Sequence, residues 1–339
     1  MLHPLVSVLL PVRDAAATLA AALDSVQAQT LREHEVVVVL DGCADASADI
    51  VAARARADAR VRPLHQPAHG LVAALNAGLV AARAPLVARH DADDRMRPER
   101  LAAQAAALDS HPEWDAVTCG VAYAAPPGAP AGPGMARFVA WLNGLATPAA
   151  IRAARFIDAP VAHPAVMYRR HAILEAGGYH DGPFPEDTEL WLRLLAARPV
   201  IGRVPDVLME WQDRPDRLTR VDARYARAAA QALMHRFLLA GPLAGGRRCR
   251  VWGAGPYGRR HARDLGRAGA LIDDLIDIDP RKIGRRVAGG RPVRGVESVG
   301  PPDGRLILVA VAAAGARAQV AAWLEERGHR LEEDYLPVQ

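Results

Sequence analysis

Three carboxylates crowd four positions at Asp91, Asp93 and Asp94, directly after Leu86-Val87-Ala88-Arg89-His90. An apolar run with strand character thus ends in concentrated negative charge, and a cation is the natural compensation. All-oxygen donors favour Mg²⁺ or Mn²⁺, which keep coordination positions open for the oxygens of a diphosphate. A solvated acidic turn capping the helix that starts near Pro98 is the competing reading. A second acidic pair, Glu186-Asp187, opens a pattern with Leu190, Trp191 and Leu194 on one face. Carboxylates in a first helical turn suit the helix dipole, so capping competes here with base chemistry. Arg214 and Arg217, spaced i, i+3 in a predicted loop, can clamp phosphate oxygens or simply be solvated.

These residues need elements that bring them together. Strand-like runs at Leu5–Pro11, Glu35–Leu40, Val61–Leu64 and Leu86–Arg89 alternate with helical patterns over 15–29, 47–59 and 70–82. Such alternation predicts a doubly wound, mostly parallel α/β sheet, with ligands beyond the carboxyl ends of the strands. Pro98 sits where a first helical turn tolerates proline, Trp114–Val121 reads as a further strand, and the Pro/Gly-rich stretch 124–134 reads as a loop. From Arg250 the pattern restarts. A short strand leads into Gly253, Gly255 and Gly258, spaced G-x-G-x-x-G, and Asp277 and Asp279 fall at the end of the next strand.

Composition bounds the class. The 339 residues are 51% hydrophobic and 24% charged, with a formal net charge of +4, ordinary for a globular protein of two domains. Arginine is spread along the whole chain, which argues against a nucleic-acid footprint and is compatible with a weak attraction to anionic substrates or membrane surfaces. Cys43, Cys119 and Cys249 offer neither a disulfide framework nor zinc spacing. With no signal-peptide pattern and no apolar run of about 20 residues, the expected location is the cytoplasm, with a peripheral position at the inner face of the membrane left open.

Taken together the blocks resemble the family 2 glycosyltransferases, inverting enzymes of the GT-A fold, over about residues 5–225. Pro11, Arg13 and Asp14 match the strand-end segment that holds the nucleotide. Asp41-Gly42-Cys43-Ala44-Asp45 is similar to the block that reads the base, with Leu40 replacing its first Asp and Cys43 its Ser. Gly70 to Gly78, with Asn76, matches the segment flanking the nucleotide. Asp91-Ala92-Asp93-Asp94 takes the metal-binding place, with Asp93 on the metal and Asp91 on the ribose or a metal-bound water. The stretch from His163 to Arg193 is similar to the acceptor half. It puts Asp187 on the general-base position with Glu186 beside it, and His163 near a sugar.

The resemblance implies a metal-dependent inverting transferase that moves a sugar from a nucleoside-diphosphate donor, UDP-sugar favoured, to a hydroxyl of a glycan or lipid-linked acceptor. A sugar-nucleotide pyrophosphorylase is disfavoured, because Pro11-Val12-Arg13-Asp14 has no Gly-rich basic loop. A non-catalytic nucleotide-sugar-binding or scaffolding protein is the other alternative. The expected domains are a GT-A domain over 1–225, a helical linker over 226–246, and a smaller Rossmann-like domain over 247–339 that either packs or binds a nucleotide.

Overall fold

The computed structural model describes residues 3–125, 133–197, 200–214, 217–313 and 315–338. Most of the expected 124–134 loop lies outside them. The chain divides into two compact units, Met1–Arg152 with Pro160–Ala226, and Ala153–Ala159 with Arg227–Gln339.

In the first unit, β1 (Val6–Val12), α1 (Ala16–Gln27), β2 (His34–Asp41), α2 (Ser47–Ala57), β3 (Val61–Gln66), α3 (Leu71–Ala81) and β4 (Leu86–Arg89) follow the expected alternation. Then come β5 (Arg95–Met96), α4 (Arg100–Ser110), β6 (Ala116–Ala124), α5 (Pro133–Gly144), α6 (Pro148–Ala154), β7 (Val166–Arg169), α7 (Arg170–Glu175), α8 (Glu186–Ala196), β8 (Ile201–Gln212) and α9 (Leu218–Val221). The sheet order is β3-β2-β1-β4-β7-β6-β8-β5. β1 runs parallel to β2 and β4. β7 runs antiparallel to both β4 and β6, and β5 antiparallel to β8.

Both faces of the central strands are covered, which is why they read as unbroken apolar runs. Val8, Leu10, Val36, Val38 and Leu40 enter one core with Leu19 and Leu23 of α1 and Leu101 of α4. Leu9, Val37 and Val39 enter the other, with Leu75 of α3 and Leu190, Trp191 and Leu194 of α8. Gly78 lets α3 lie close on β1, since a Cβ there would come within 2.1 Å of the Leu9 side chain. The long strand β8 runs on through Trp211 and Gln212, to within two residues of the predicted loop arginine Arg214.

The second unit contains α10 (Arg227–Ala240), β9 (Cys249–Trp252), α11 (Pro256–Arg267), β10 (Ile272–Ile276), β11 (Arg286–Val287), β12 (Arg291–Arg294), β13 (Leu306–Val309), α12 (Ala316–Glu325) and β14 (Tyr335–Pro337). Its sheet runs β11-β12-β10-β9-β13-β14, parallel except for β11. The segment Ala153–Ala159 is built into this unit. Arg155 there, 5% exposed, makes a two-pronged ion pair with Glu332, the Nη2–Oε2 arm at 2.7 Å. All three cysteines are free.

Candidate active site

The register Val12↔Leu40 and Leu9↔Arg89 aligns the carboxyl ends of β1, β2 and β4 along one sheet edge. Arg13, Asp14, Asp41 and the acidic cluster therefore share that edge. The two loops after β1 and β2 hold each other. Asp14, with a positive φ of 47°, accepts the Ala44 amide at 2.7 Å. Asp45 accepts the Ala16 amide at 2.8 Å and Ser47 Oγ the Ala15 amide at 2.9 Å. The first turn of α1, whose own flanking residue is an alanine without a cap, is thus capped from the neighbouring loop.

Asp41, 2% exposed, works in the same way on the next loop. Its carboxylate accepts from Gln66 Nε2 at 2.7 Å and from the His69 and Gly70 amides at 2.8 and 3.0 Å, with Arg13 Nη1 3.8 Å away. Burial alone would raise its pKa, but these donors and Arg13 hold it below the ordinary carboxylate range. Gly70, at φ 93°, makes the turn into α3. Asn76 has both ends of its amide on the Tyr179 backbone, at 2.8 and 2.9 Å, so it fixes the Gly177-Gly178-Tyr179 turn.

One potential ligand atom from each of Asp91, Asp93 and Asp94 lies within 4.8 Å of the others. Asp94, 1% exposed, accepts the Gln212 amide at 2.9 Å through Oδ1, while its buried Oδ2 has no hydrogen-bond partner. Burial, then Asp91 and Asp93, push the Asp94 carboxyl well above the usual range. Asp93 is raised by burial and Asp91, against the pull of Arg217 and Arg214. The arginine pair after β8 therefore lies within electrostatic reach of the cluster. Arg217 also lies 4.5 Å over the Trp211 ring. A buried carboxylate oxygen without a donor, inside an all-oxygen set of like charges, is what Mg²⁺ or Mn²⁺ would satisfy. The residues fit such an ion.

Arg89, 1% exposed, is bound to this cluster and lies within electrostatic reach of α8. Its guanidinium donates to Asp91 Oδ1 at 2.6 Å and to the His90 carbonyl, and it also feels the charge of Glu186 and the Tyr179 hydroxyl. Glu186, 4% exposed, accepts from Tyr225 Oη at 2.5 Å and has His163 Nδ1 3.8 Å away. Burial raises the Glu186 carboxyl, and burial together with Arg89 pushes the His163 imidazole well below its usual range. His163 Nε2 pairs with Tyr179 Oη at 3.0 Å, and Tyr168 Oη lies 3.3 Å farther on. Asp187 stands partly exposed in the first turn of α8, with Oδ1 accepting the Thr188 amide at 2.6 Å.

Sequence reasoning missed Arg89, Arg100, Tyr179 and Tyr225. The one available signal was a charge in an apolar strand at Arg89, which has no place there without a partner. Arg100, 0% exposed, donates from Nη2 to the Arg89 and Val166 carbonyls at 3.0 and 3.3 Å, joining the ends of β4 and β7. At the opposite, amino ends of β1 and β4 a recess of about 520 Å³, lined by Leu5, Leu31, Leu86 and Arg169, holds no such constellation.

In the second unit Gly253 and Gly258 allow a tight loop. A Cβ on Gly258 would meet the Gly253 carbonyl at 1.7 Å, and one on Gly253 the Ala310 carbonyl at 2.5 Å. Asp277 accepts the Ala254 and Asp279 amides at 2.8 and 2.9 Å and Lys282 Nζ at 3.0 Å. Asp279 is paired with Arg281.

The sheet and its acidic edge define an α/β domain of the kind that takes ligands beyond the carboxyl ends of its strands. Residues 7–176 match the family model described as Glycosyl transferase family 2. The chain belongs to this family and is a glycosyltransferase. It is 32% identical over 192 residues, 56% of this chain and 68% of the relative, to the amylovoran biosynthesis glycosyltransferase AmsE of Erwinia amylovora. An uncharacterized glycosyltransferase of Haemophilus influenzae is 29% identical over 187 residues, 55% of this chain and 67% of the relative. Among solved structures, S. aureus TarS 1-349 in complex with UDP-GlcNAc has the same fold, with a TM-score of 0.52, 18% identity, and coverage of 70% of this chain and 68% of that one.

Proposed function

We propose that the first unit transfers a sugar from a nucleoside-diphosphate donor, a UDP-sugar by preference, to a hydroxyl of a glycan or lipid-linked acceptor, with inversion at the anomeric carbon. The observation that carries this reading is the convergence of Asp91, Asp93 and Asp94, with the Asp94 Oδ2 buried and unpartnered. Asp93 and Asp91 would hold Mg²⁺ or Mn²⁺, and the unpartnered Asp94 Oδ2 would complete the all-oxygen set. When bound, the ion neutralises the charge of the departing diphosphate. Arg214 and Arg217, which already act on Asp93, add donors for the same oxygens. Pro11, Arg13, Asp14, Asp41 and Gly70 shape the nucleotide's strand-end groove, and Asn76 acts one step back, through the turn it fixes.

Inversion needs one base on the acceptor side. Asp187 takes that role in this reading, because it is the more accessible of the α8 pair and sits beside the buried Glu186. TarS, solved with UDP-GlcNAc, gives the fold a precedent for such a donor. No helix among the described residues is long and apolar enough to cross a membrane.

The test is Asp93→Ala, titrated with nucleotide with and without Mn²⁺. The metal-dependent part of donor affinity should vanish while the thermal midpoint holds. Unchanged affinity in Mn²⁺ would remove the cluster from the reaction. Release of free sugar from the donor without acceptor separates turnover from mere binding.

A further inference from the structure

The second unit has its own topological switch point. From β9 the chain proceeds through β10 and β12 on one side of the sheet, then crosses to β13 and β14 on the other. The crevice between the carboxyl ends of β9 and β13 is where an open parallel sheet accepts a ligand. The two loops meet there, as the close approach of Gly253 to Ala310 shows. Gly255 has an ordinary φ of −76°, and a Cβ on it would touch nothing within 4 Å, so the loop faces open space.

Beside it, cations gather around Tyr257 in the first turn of α11. Arg260 from α11 lies 5.2 Å over the Tyr257 ring and Arg227 from α10 lies 4.9 Å from it, with Arg227 Nη1 donating to Tyr257 Oη at 3.3 Å. Arg317, in the first turn of α12, acts on the same tyrosine. Asp158 lies within electrostatic reach of Arg227. Among the described residues neither Arg260 nor Arg317 has an ion pair or a hydrogen bond. Arg260 Nε and Nη2 and Arg317 Nε are nonetheless shielded from solvent and without a partner. Guanidinium N–H groups left unmatched in this way are costly unless an anion meets them.

We propose that the crevice between β9 and β13 binds a phosphate-bearing anion, clamped by Arg260 and Arg317 with Arg227 alongside. The ligand is not a dinucleotide of the usual kind. Asp277, which would read a ribose, already accepts from the Ala254 and Asp279 amides and from Lys282. Fork-shaped guanidinium groups match phosphate oxygens geometrically as well as by charge.

Calorimetric titration of the full chain with inorganic pyrophosphate in EDTA tests this, since without a divalent ion the acidic cluster repels the probe. Saturable 1:1 binding is expected, weakened about tenfold or more by Arg260→Gln and by Arg317→Gln. Gly255→Asp, which the backbone and the open space both permit, should abolish it. Arg217→Gln, beside the acidic cluster of the first unit, should leave it unchanged. Absence of saturable binding by the folded chain overturns the proposal. So does a loss in Arg217→Gln that Arg260→Gln does not share, or NAD binding tighter than pyrophosphate that both second-unit variants leave intact.

Discussion

Asp187 and Glu186 are neighbours in one helical turn, yet their surroundings separate them. Glu186 is buried against Tyr225 and His163 and has a raised pKa, while Asp187 remains accessible beside it. A base must be ionised and must reach the hydroxyl, so the accessible member suits the task. Asp187→Asn should therefore bind donor normally and lose turnover by about 10²–10⁴-fold, read from kcat and donor Kd on the same preparation. Near-normal transfer by the Asn variant would leave Asp187 with helix capping alone.

At the scale of elements, the edge that carries the site is assembled by buried polar side chains reaching between loops and strands. Glu35, at the amino end of β2, does the same for the opposite edge. It accepts from Ser7 Oγ at 2.6 Å, the Arg83 amide at 2.8 Å and Arg62 Nη1 at 2.5 Å, linking β1, β3 and the start of β4's approach. Burial opposes its ionisation, but these donors win and hold its carboxyl below the usual range. A depressed carboxylate stabilises the fold fully above its unfolded pKa of about 4.3, and that contribution fades as the pH falls through the lower folded value. Glu35→Gln should cost about 2 kcal/mol at neutral pH, as expected for a buried charge-assisted network. The difference from the unaltered chain should shrink on acidification below about pH 4. Urea unfolding of both proteins across that range checks magnitude and sign together.

For the whole molecule, the notable feature is the path of the chain. Ala153–Ala159 leaves the first unit's sequence and is built into the second, where Arg155 pairs with Glu332. Removing one partner of a largely buried pair leaves a charge without compensation. Because Glu332 keeps some exposure, Arg155→Ala should cost about 1–3 kcal/mol rather than the full figure for an enclosed pair. Hydrogen exchange should report faster opening at 153–159 and around Glu332, with β1 and β2 unaffected. Uniform protection in the variant would show the pair to be dispensable.

The strands β1 to β4, the helices between them and the glycine loop of the second unit were legible in the sequence, because burial on both faces writes continuous apolar runs and helices write a 3.6-residue period. The acidic strand end was legible for a related reason, since three adjacent carboxylates are conspicuous after an apolar run. The antiparallel β7 and the extension of β8 through Trp211 and Gln212 were not, because pairing direction and strand length depend on partners distant in the chain. Nor could the sequence assign Asp41 and Asn76 to holding loops, or give the buried Arg89 its bond to Asp91. A side chain's type sets which bonds it can form. Which of them it forms is decided only when the fold brings a partner within hydrogen-bonding distance.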